Sequence, residues 1–430
     1  MSFRARQKDR AADPFGQTLQ TSRMLTAQDT GRLDVPWAGF LPPRLRSMLV
    51  QRLTGLAELG RVETLDYPVD PAVFSDWLWT TLFDRTLPAS ERSLLERAAF
   101  YATQLGHENA RHLCFLPSRF QRRLATKGWN VFLSTGLTPY RVSPGTRTVV
   151  RYYDALPLLS PHTVGEPWAL GRSHAMLLAR NMAAGVTMVC ASEPVRDDLL
   201  RLFPDAVGRV VTIPVMLPAD LRPDPVPPQA VRTILARYAV NGAPVPKEDG
   251  TALVLAVSTL EPRKNYLRLF QAFERARQAS ARPVRLVIVA NPGWRGEAEA
   301  RELRRLVETG AAYHLQGVPA GELRQLYTAA HVVVAPSRAE GFGYSGAEAM
   351  ACGTPVLASD IPVHRWVYGD AAQYFDPYDA ASMGGLIADA VDADRAGDML
   401  GTLRDRGLRQ ARLYGEEAVR PQWERVLAGP

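Results

Sequence analysis

The chain has 430 residues, 46% hydrophobic and 22% charged, an ordinary globular composition with enough length for two or three domains, each with its own core. Its 51 basic against 44 acidic side chains leave a formal charge of +7, which points to anionic partners, phosphorylated small molecules and phospholipid surfaces among them, ahead of nucleic acid. No apolar run reaches 18 residues and the opening MSFRARQKDR carries no apolar stretch, so neither a transmembrane helix nor a cleaved signal is expected; Cys114, Cys190 and Cys352 lack the spacing of a disulfide framework or a zinc site.

Residues 1–110 read as mostly helical, with leucines 45, 49, 53 and 56 on one stripe and a first strand over 61–67. The segment 43–56 sets Arg44, Arg46 and Arg52 beside that stripe. It is either a surface helix packed on its own domain or a basic amphipathic helix lying on a membrane. From His112 the texture changes to short apolar runs, at 112–116, 129–134, 146–153, 186–191 and 210–215, which predict the strands of a first α/β domain. Prolines in LRPDPVPPQ, residues 221–229, forbid a helix or central strand and mark the expected end of that domain.

The rest alternates more cleanly. Strands are predicted at 253–258, 285–290, 313–316, 332–335 and 355–358, with helices at 266–279, 297–307 and 322–330 and one more after Gly346. Such alternation means right-handed crossovers and a parallel sheet covered on both faces. Helical segments follow Asp376 to the end, including 416–427. The predicted domains are therefore 1–225, 229–405 and a C-terminal helical segment, 406–430.

Gly341, Gly343 and Gly346 fit Gly-x-Gly-x-x-Gly, with Asp360 at the end of the next strand where a dinucleotide fold keeps its ribose acid. Five residues, Pro336 to Glu340, separate that glycine run from its strand, and it opens no domain. The dehydrogenase reading is set aside on those grounds. A better reading rests on two carboxylates. Glu340 stands just before the glycines, where it can accept from two vicinal hydroxyls of a sugar. Glu348 lies one turn into an Ala-rich helix, where a carboxylate needs either solvent or a pair of donors such as a ribose supplies. A second cluster agrees: the strand at 253–258 runs into Thr259-Leu260-Glu261-Pro262-Arg263-Lys264-Asn265, placing two cations at a strand's carboxyl end. Cations there stabilise negative charge developing on a departing phosphate.

Glu340 to Glu348 resembles the E-x7-E motif of the family 4 retaining glycosyltransferases, whose GT-B architecture sets two Rossmann-like domains facing across a cleft. The resemblance implies that fold, with the N-terminal domain here diverged and helix-rich. It also implies that Glu340 meets the hydroxyls of the transferred sugar and that Gly341, Phe342, Gly343, Tyr344 and Ser345 present backbone amides to sugar and diphosphate. Glu348 would hold the nucleotide ribose, and Arg263 and Lys264 the diphosphate. Asn291-Pro292-Gly293-Trp294 is similar to a family loop beside the nucleotide, and Gly317-Val318-Pro319 to a turn whose backbone reads the base. Tyr153-Asp154-Ala155-Leu156-Pro157 resembles the family string His-Asp-x-x-Pro, with Tyr153 in the histidine's place and Asp154 left as a candidate for orienting the acceptor, or as a structural cap. Two further departures are Ser258, where many members carry an arginine, and the absence of a Gly-Gly pair from residues 1–130.

The expected activity is metal-independent, retaining hexosyl transfer from a nucleotide diphosphate sugar, with no other cofactor. The T-L-E-P-R-K-N string is similar to that of mannosyltransferases and tilts the donor toward GDP-mannose over a UDP-sugar. The expected acceptor is a saccharide, lipid-linked group or protein, and the expected setting is glycan assembly in the cytoplasm or at the inner face of the membrane, with peripheral membrane contact as one partner and no nucleic acid. The rival reading is an inactive sugar-nucleotide-binding or scaffold protein of the same fold.

Overall fold

Five apolar runs in the C-terminal half and one less apolar segment become one parallel sheet: β1 (Ala252–Val257), β2 (Val284–Val289), β3 (Ala312–Leu315), β4 (Val332–Ala335), β5 (Val356–Ser359) and β6 (Ala372–Phe375). The order across the sheet is β3-β2-β1-β4-β5-β6, and every pairing is parallel. Sequence order thus reverses between β1 and β4, which is where sheets of this kind bind ligands, beyond the carboxyl ends of the strands. Side chains of β1 divide between the two faces: Leu255 joins one core, while Ala252, Val254 and Ala256 join the other. A strand buried on both sides has no polar face, and that is why the sequence reads as a continuous apolar run.

This structure is a computed structural model and describes residues 62–63, 67–84, 87, 89–98, 100–102, 121, 123–165, 167–240, 250–392 and 397–429. The chain forms two units, residues 1–151 with 168–188, and residues 152–167 with 189–430. In the first, strand Val131–Ser134 pairs in parallel with Arg147–Tyr152. Buried Asn181 clamps the chain at Thr138, accepting from its N–H at 3.0 Å and donating to its carbonyl at 2.8 Å. The strand expected at 61–67 is two short pieces, Val62–Glu63 and Tyr67–Pro68. The expected helix at 43–56 and strand at 112–116 lie outside the described residues.

The second unit holds the six-stranded sheet. A helix over Glu193–Leu202 comes early in this unit, and from the proline-rich stretch onward its helices are α1 (Pro228–Tyr238), α2 (Tyr266–Ala279), α3 (Glu297–Glu308), α4 (Ala320–Ala329), α5 (Tyr344–Ala351), α6 (Pro362–Tyr368), α7 (Ala380–Val391), α8 (Met399–Arg412) and α9 (Glu416–Ala428). Along α2, Tyr266, Leu269, Phe270, Phe273 and Ala276 recur at helical spacing and are all buried. Truncating a ring such as Phe270 to alanine there costs about 3–5 kcal/mol. The proline-rich stretch 221–229 lies within this unit: Arg324 of α4 donates to the carboxylate of Asp224 and to the Asp220 carbonyl. Pro228 then opens α1 at the one helical position where its missing N–H is not needed. The elements not anticipated from the sequence include β6, α6 and α1, whose first residues, Pro228 and Gln229, belong to the stretch expected to exclude a helix.

Candidate functional site

The carboxyl ends of β1 and β4 deliver the two clusters singled out in the sequence to one place. After β1 the chain makes a tight turn, Pro262–Lys264, and Asn265 takes a left-handed conformation, φ 62°, before α2 begins. Asparagine tolerates that region better than most residues. Its buried side-chain amide fixes the turn by donating to the carbonyls of Pro336 at 3.0 Å and Pro377 at 2.8 Å. After β4, the Arg338 N–H donates 2.8 Å to the Arg263 carbonyl, tying one loop to the other.

Glu340 sits at the centre. Its Oε1 accepts from Lys264 Nζ at 2.5 Å and Ser337 Oγ at 2.7 Å, and its Oε2 accepts from Arg263 Nη1 at 2.9 Å. Arg263 Nη1 also donates to the Ala339 carbonyl, 3.1 Å, and its Nε lies 3.3 Å from Glu261 Oε2. The side chains of Glu340, Lys264 and Arg263 are 11–17% exposed, so the charges interact with little screening from water. Burial alone would raise the Glu340 carboxyl; Lys264 and Arg263 overrule it and hold the group well below the usual carboxylate range. Burial likewise pulls Arg263 down, and Glu340 and Glu261 outweigh that pull.

The glycine loop is shaped by close approaches. A Cβ on Gly341 would meet the Tyr153 carbonyl oxygen at 2.2 Å, and one on Gly346 would meet the Tyr368 ring at 2.4 Å. Gly343, φ +91°, turns the chain into α5 and has no side chain with which to cap it; a helix start of this kind is where an anion can be held. The loop carbonyls are held from behind: Ser192 Oγ donates 2.8 Å to Gly341 O, and Tyr368 Oη donates 2.7 Å to Gly343 O. Buried His364 stacks on Tyr368, centroids 5.0 Å apart, with its Nδ1 3.0 Å from the Ser359 carbonyl. Ser359 Oγ in turn donates to the Ser337 carbonyl. Burial lowers the His364 pKa to about 4.

The remaining candidates separate by role. Asp154 lies beside the loop, its Cβ 3.3 Å from where a Gly341 Cβ would stand, and its Oδ1 caps the short turn Leu156–Leu159 by accepting from Leu156 N at 3.0 Å. Burial raises its carboxyl, opposed by the Leu156 amide and Arg263. Phe342 is a core group, its ring 5.1 Å from that of Tyr414, so only its backbone faces the loop, whereas Tyr344 is exposed. Glu348 accepts from Tyr327 Oη at 2.8 Å; burial raises its carboxyl and that hydrogen bond opposes the rise. Asn291 follows β2, and Gly317 (φ 66°) and Val318 follow β3, along the same carboxyl edge but outside the Glu340 network. Ser258 turns inward, donating 2.8 Å to the buried Tyr266 hydroxyl, and Arg263 and Lys264 are the cations that reach Glu340.

Sequence reasoning missed Ser192, Ser337, Tyr327, Ser359, His364 and Tyr368. Only Ser337, three residues before Glu340, carried a local signal. Among the described residues no three His, Cys, Asp or Glu gather as metal ligands, and no helix is long and apolar enough to cross a membrane.

Residues 242–402 match the family of group 1 glycosyl transferases. The chain is 29% identical over 240 residues to O-antigen chain mannosyltransferase B of Escherichia coli, covering 56% of this chain and 60% of the relative. It is 31% identical over 236 residues to a D-inositol 3-phosphate glycosyltransferase of Xylanimonas cellulosilytica, covering 54% and 52%. The chain thus spans little more than half the length of these curated relatives. Among solved structures it resembles a sucrose-phosphate synthase from Thermosynechococcus elongatus, with TM-score 0.53 and 21% identity over 70% of this chain and 74% of that one. It also resembles Anabaena HepE in complex with UDP-glucose, with TM-score 0.50 and 17% identity over 66% and 72%. At these identities the likeness speaks to fold, and the fold is the GT-B type.

Proposed function

We propose, from the match of residues 242–402 to the group 1 glycosyl transferases, that the chain is a metal-independent, retaining glycosyltransferase that moves a hexose from a nucleotide diphosphate sugar to a saccharide, lipid-linked or protein acceptor. The observation that carries this reading is the buried triad of Glu340, Arg263 and Lys264 at the switch point of the sheet, beside the uncapped start of α5. The diphosphate takes Arg263, Lys264 and the loop amides, and Glu340, released from the cations, accepts from hydroxyls of the sugar.

The bond from the anomeric carbon to the phosphate oxygen breaks while a bond to the acceptor oxygen forms on the same face. The acceptor's proton passes to the departing phosphate oxygen, so no separate protein base is needed. Arg263, Lys264 and the N–H groups at the start of α5 stabilise the charge that develops there. Glu348 binds the ribose, and Asp154 is placed beside Gly341 to orient an acceptor. Mannose, carried by GDP, is the favoured sugar, supported by the Thr259 to Asn265 string and by the mannosyltransferase relative. The chemistry fits glycan assembly in the cytoplasm or at the inner membrane face.

Thermal denaturation with GDP, UDP, ADP and TDP tests the reading. A ligand at about 100 times its Kd stabilises by ~2.7 kcal/mol. GDP should raise the melting temperature most, and GDP-mannose should be consumed in the presence of acceptor. No shift with any of the four would refute the nucleotide site; a shift without turnover would favour the inactive binding protein.

A further inference from the structure

Tyr327 is wholly buried near the end of α4, in the core shared by α4 and α5. Packing alone does not call for its hydroxyl, because the opposite face of the sheet uses Phe270 and Phe273 at equally buried positions. A buried phenol needs a partner, and this one has Glu348, whose Oε2 accepts from it at 2.8 Å. The same residue is tied to the far end of α5 through its backbone: Thr354 Oγ1 donates 2.6 Å to the Tyr327 carbonyl, and Thr354 N donates 2.9 Å to Ala349 O. One residue of α4 therefore fixes both the position of α5 and the rotamer of its glutamate. Glu348 Oε1 carries no hydrogen bond among the described residues.

We infer that Tyr327 is a positioning residue for nucleotide recognition: its hydroxyl occupies one carboxylate oxygen of Glu348 and presents the other to the 2′- and 3′-hydroxyls of the ribose. The inference rests on the proposed reading of Glu348 as the ribose carboxylate. Without the phenol, Glu348 would lose the donor that fixes the single orientation in which it meets a diol. The loss falls on ribose recognition, since the Tyr327 hydroxyl bonds Glu348, while Arg263, Lys264 and Ser337 bond Glu340.

Calorimetric titration of the full chain, Tyr327→Phe and Glu348→Gln with GDP, UDP and their 2′,3′-dideoxy counterparts separates this role from a structural one. The unaltered chain should bind its ribose form at least about tenfold tighter than the dideoxy form. Tyr327→Phe should weaken the ribose form about tenfold, near the value of one hydrogen bond to a charged group, and leave the dideoxy form unchanged. Phenylalanine keeps the packed ring, and an unchanged dideoxy affinity itself reports an intact site. Equal weakening of both forms by Tyr327→Phe, or of neither, overturns the inference while leaving Glu348 in place if Glu348→Gln abolishes discrimination. An unaltered chain that binds ribose and dideoxy forms alike, or binds neither probe, removes the reading of Glu348 and this inference with it.

Discussion

Replacing Glu340 by glutamine leaves Arg263 and Lys264 facing each other with the anion between them gone. The three side chains are 11–17% exposed and the pairs are 2.5 and 2.9 Å long. Removing one member of a buried ion pair typically costs about 3–5 kcal/mol, because the orphaned charge has no water to turn to. Glutamine's carbonyl still accepts from one cation, so the lower end applies, about 3 kcal/mol. At ~2–4 °C per kcal/mol for a unit of this size, the melting temperature should fall by roughly 6–12 °C. Scanning calorimetry of Glu340→Gln, Lys264→Met and the double variant checks this. The double variant, which removes a cation with the anion, should melt above Glu340→Gln, a positive coupling between neighbours. A nucleoside diphosphate should rescue Glu340→Gln more than the unaltered protein, since Lys264 has then lost its anion and Arg263 keeps only Glu261, while turnover collapses. If Glu340→Gln melts within about 1 °C of the unaltered chain, or the two substitutions add without coupling, the buried triad is not what holds this corner together.

Two other outcomes follow from the packing behind the loop. His364 has a folded pKa of about 4 against an ordinary 6.5. The unfolded chain takes up the proton first, so stability is fully present above ~6.5 and is lost as pH falls toward about 4, by on the order of 3 kcal/mol. His314 and His331 are also lowered; the difference in urea midpoint between the unaltered chain and His364→Gln at pH 7, 5 and 4 isolates this residue, and parallel curves would refute the assignment. Gly341→Ala places a methyl 2.2 Å from the Tyr153 carbonyl oxygen. Strain of this kind costs about 1–3 kcal/mol, and nucleotide affinity should fall with little change in circular dichroism; undiminished affinity would mean the loop can shift without consequence.

What was legible in the sequence followed from periodicity. The boundaries of α2, residues 266–279, emerge as expected because its apolar stripe is uninterrupted and Ser280 follows directly. Strand β6, Ala-Gln-Tyr-Phe, was not recognised because Gln373 is exposed and only Ala372 and Phe375 are buried, too little alternation for a pattern. Helix α6 did carry a signal, Pro362 at its start and Gly369 at its end, in a segment too short to show a stripe. At the site, Glu340, Glu348, Arg263 and Lys264 are visible because charged groups beside glycines or within apolar helices have no bland use. Their supports are invisible for a geometric reason. Tyr327 is 21 residues from Glu348, and Ser192 is 149 residues from Gly341, so no local spacing relates them.

The second unit takes in residues 152–167 and 189–217 as well as the matched stretch 242–402. Ser192 grips Gly341, the Tyr153 carbonyl closes on the same glycine, and the Leu217 N–H donates 2.8 Å to the Tyr414 carbonyl just beyond α8. A recombination point chosen at the proline-rich stretch would cut every one of these ties. Exchange of sugar specificity between relatives, in the laboratory or by gene shuffling, would have to carry the upstream pieces along, so the heritable module is larger than the motif that announces it.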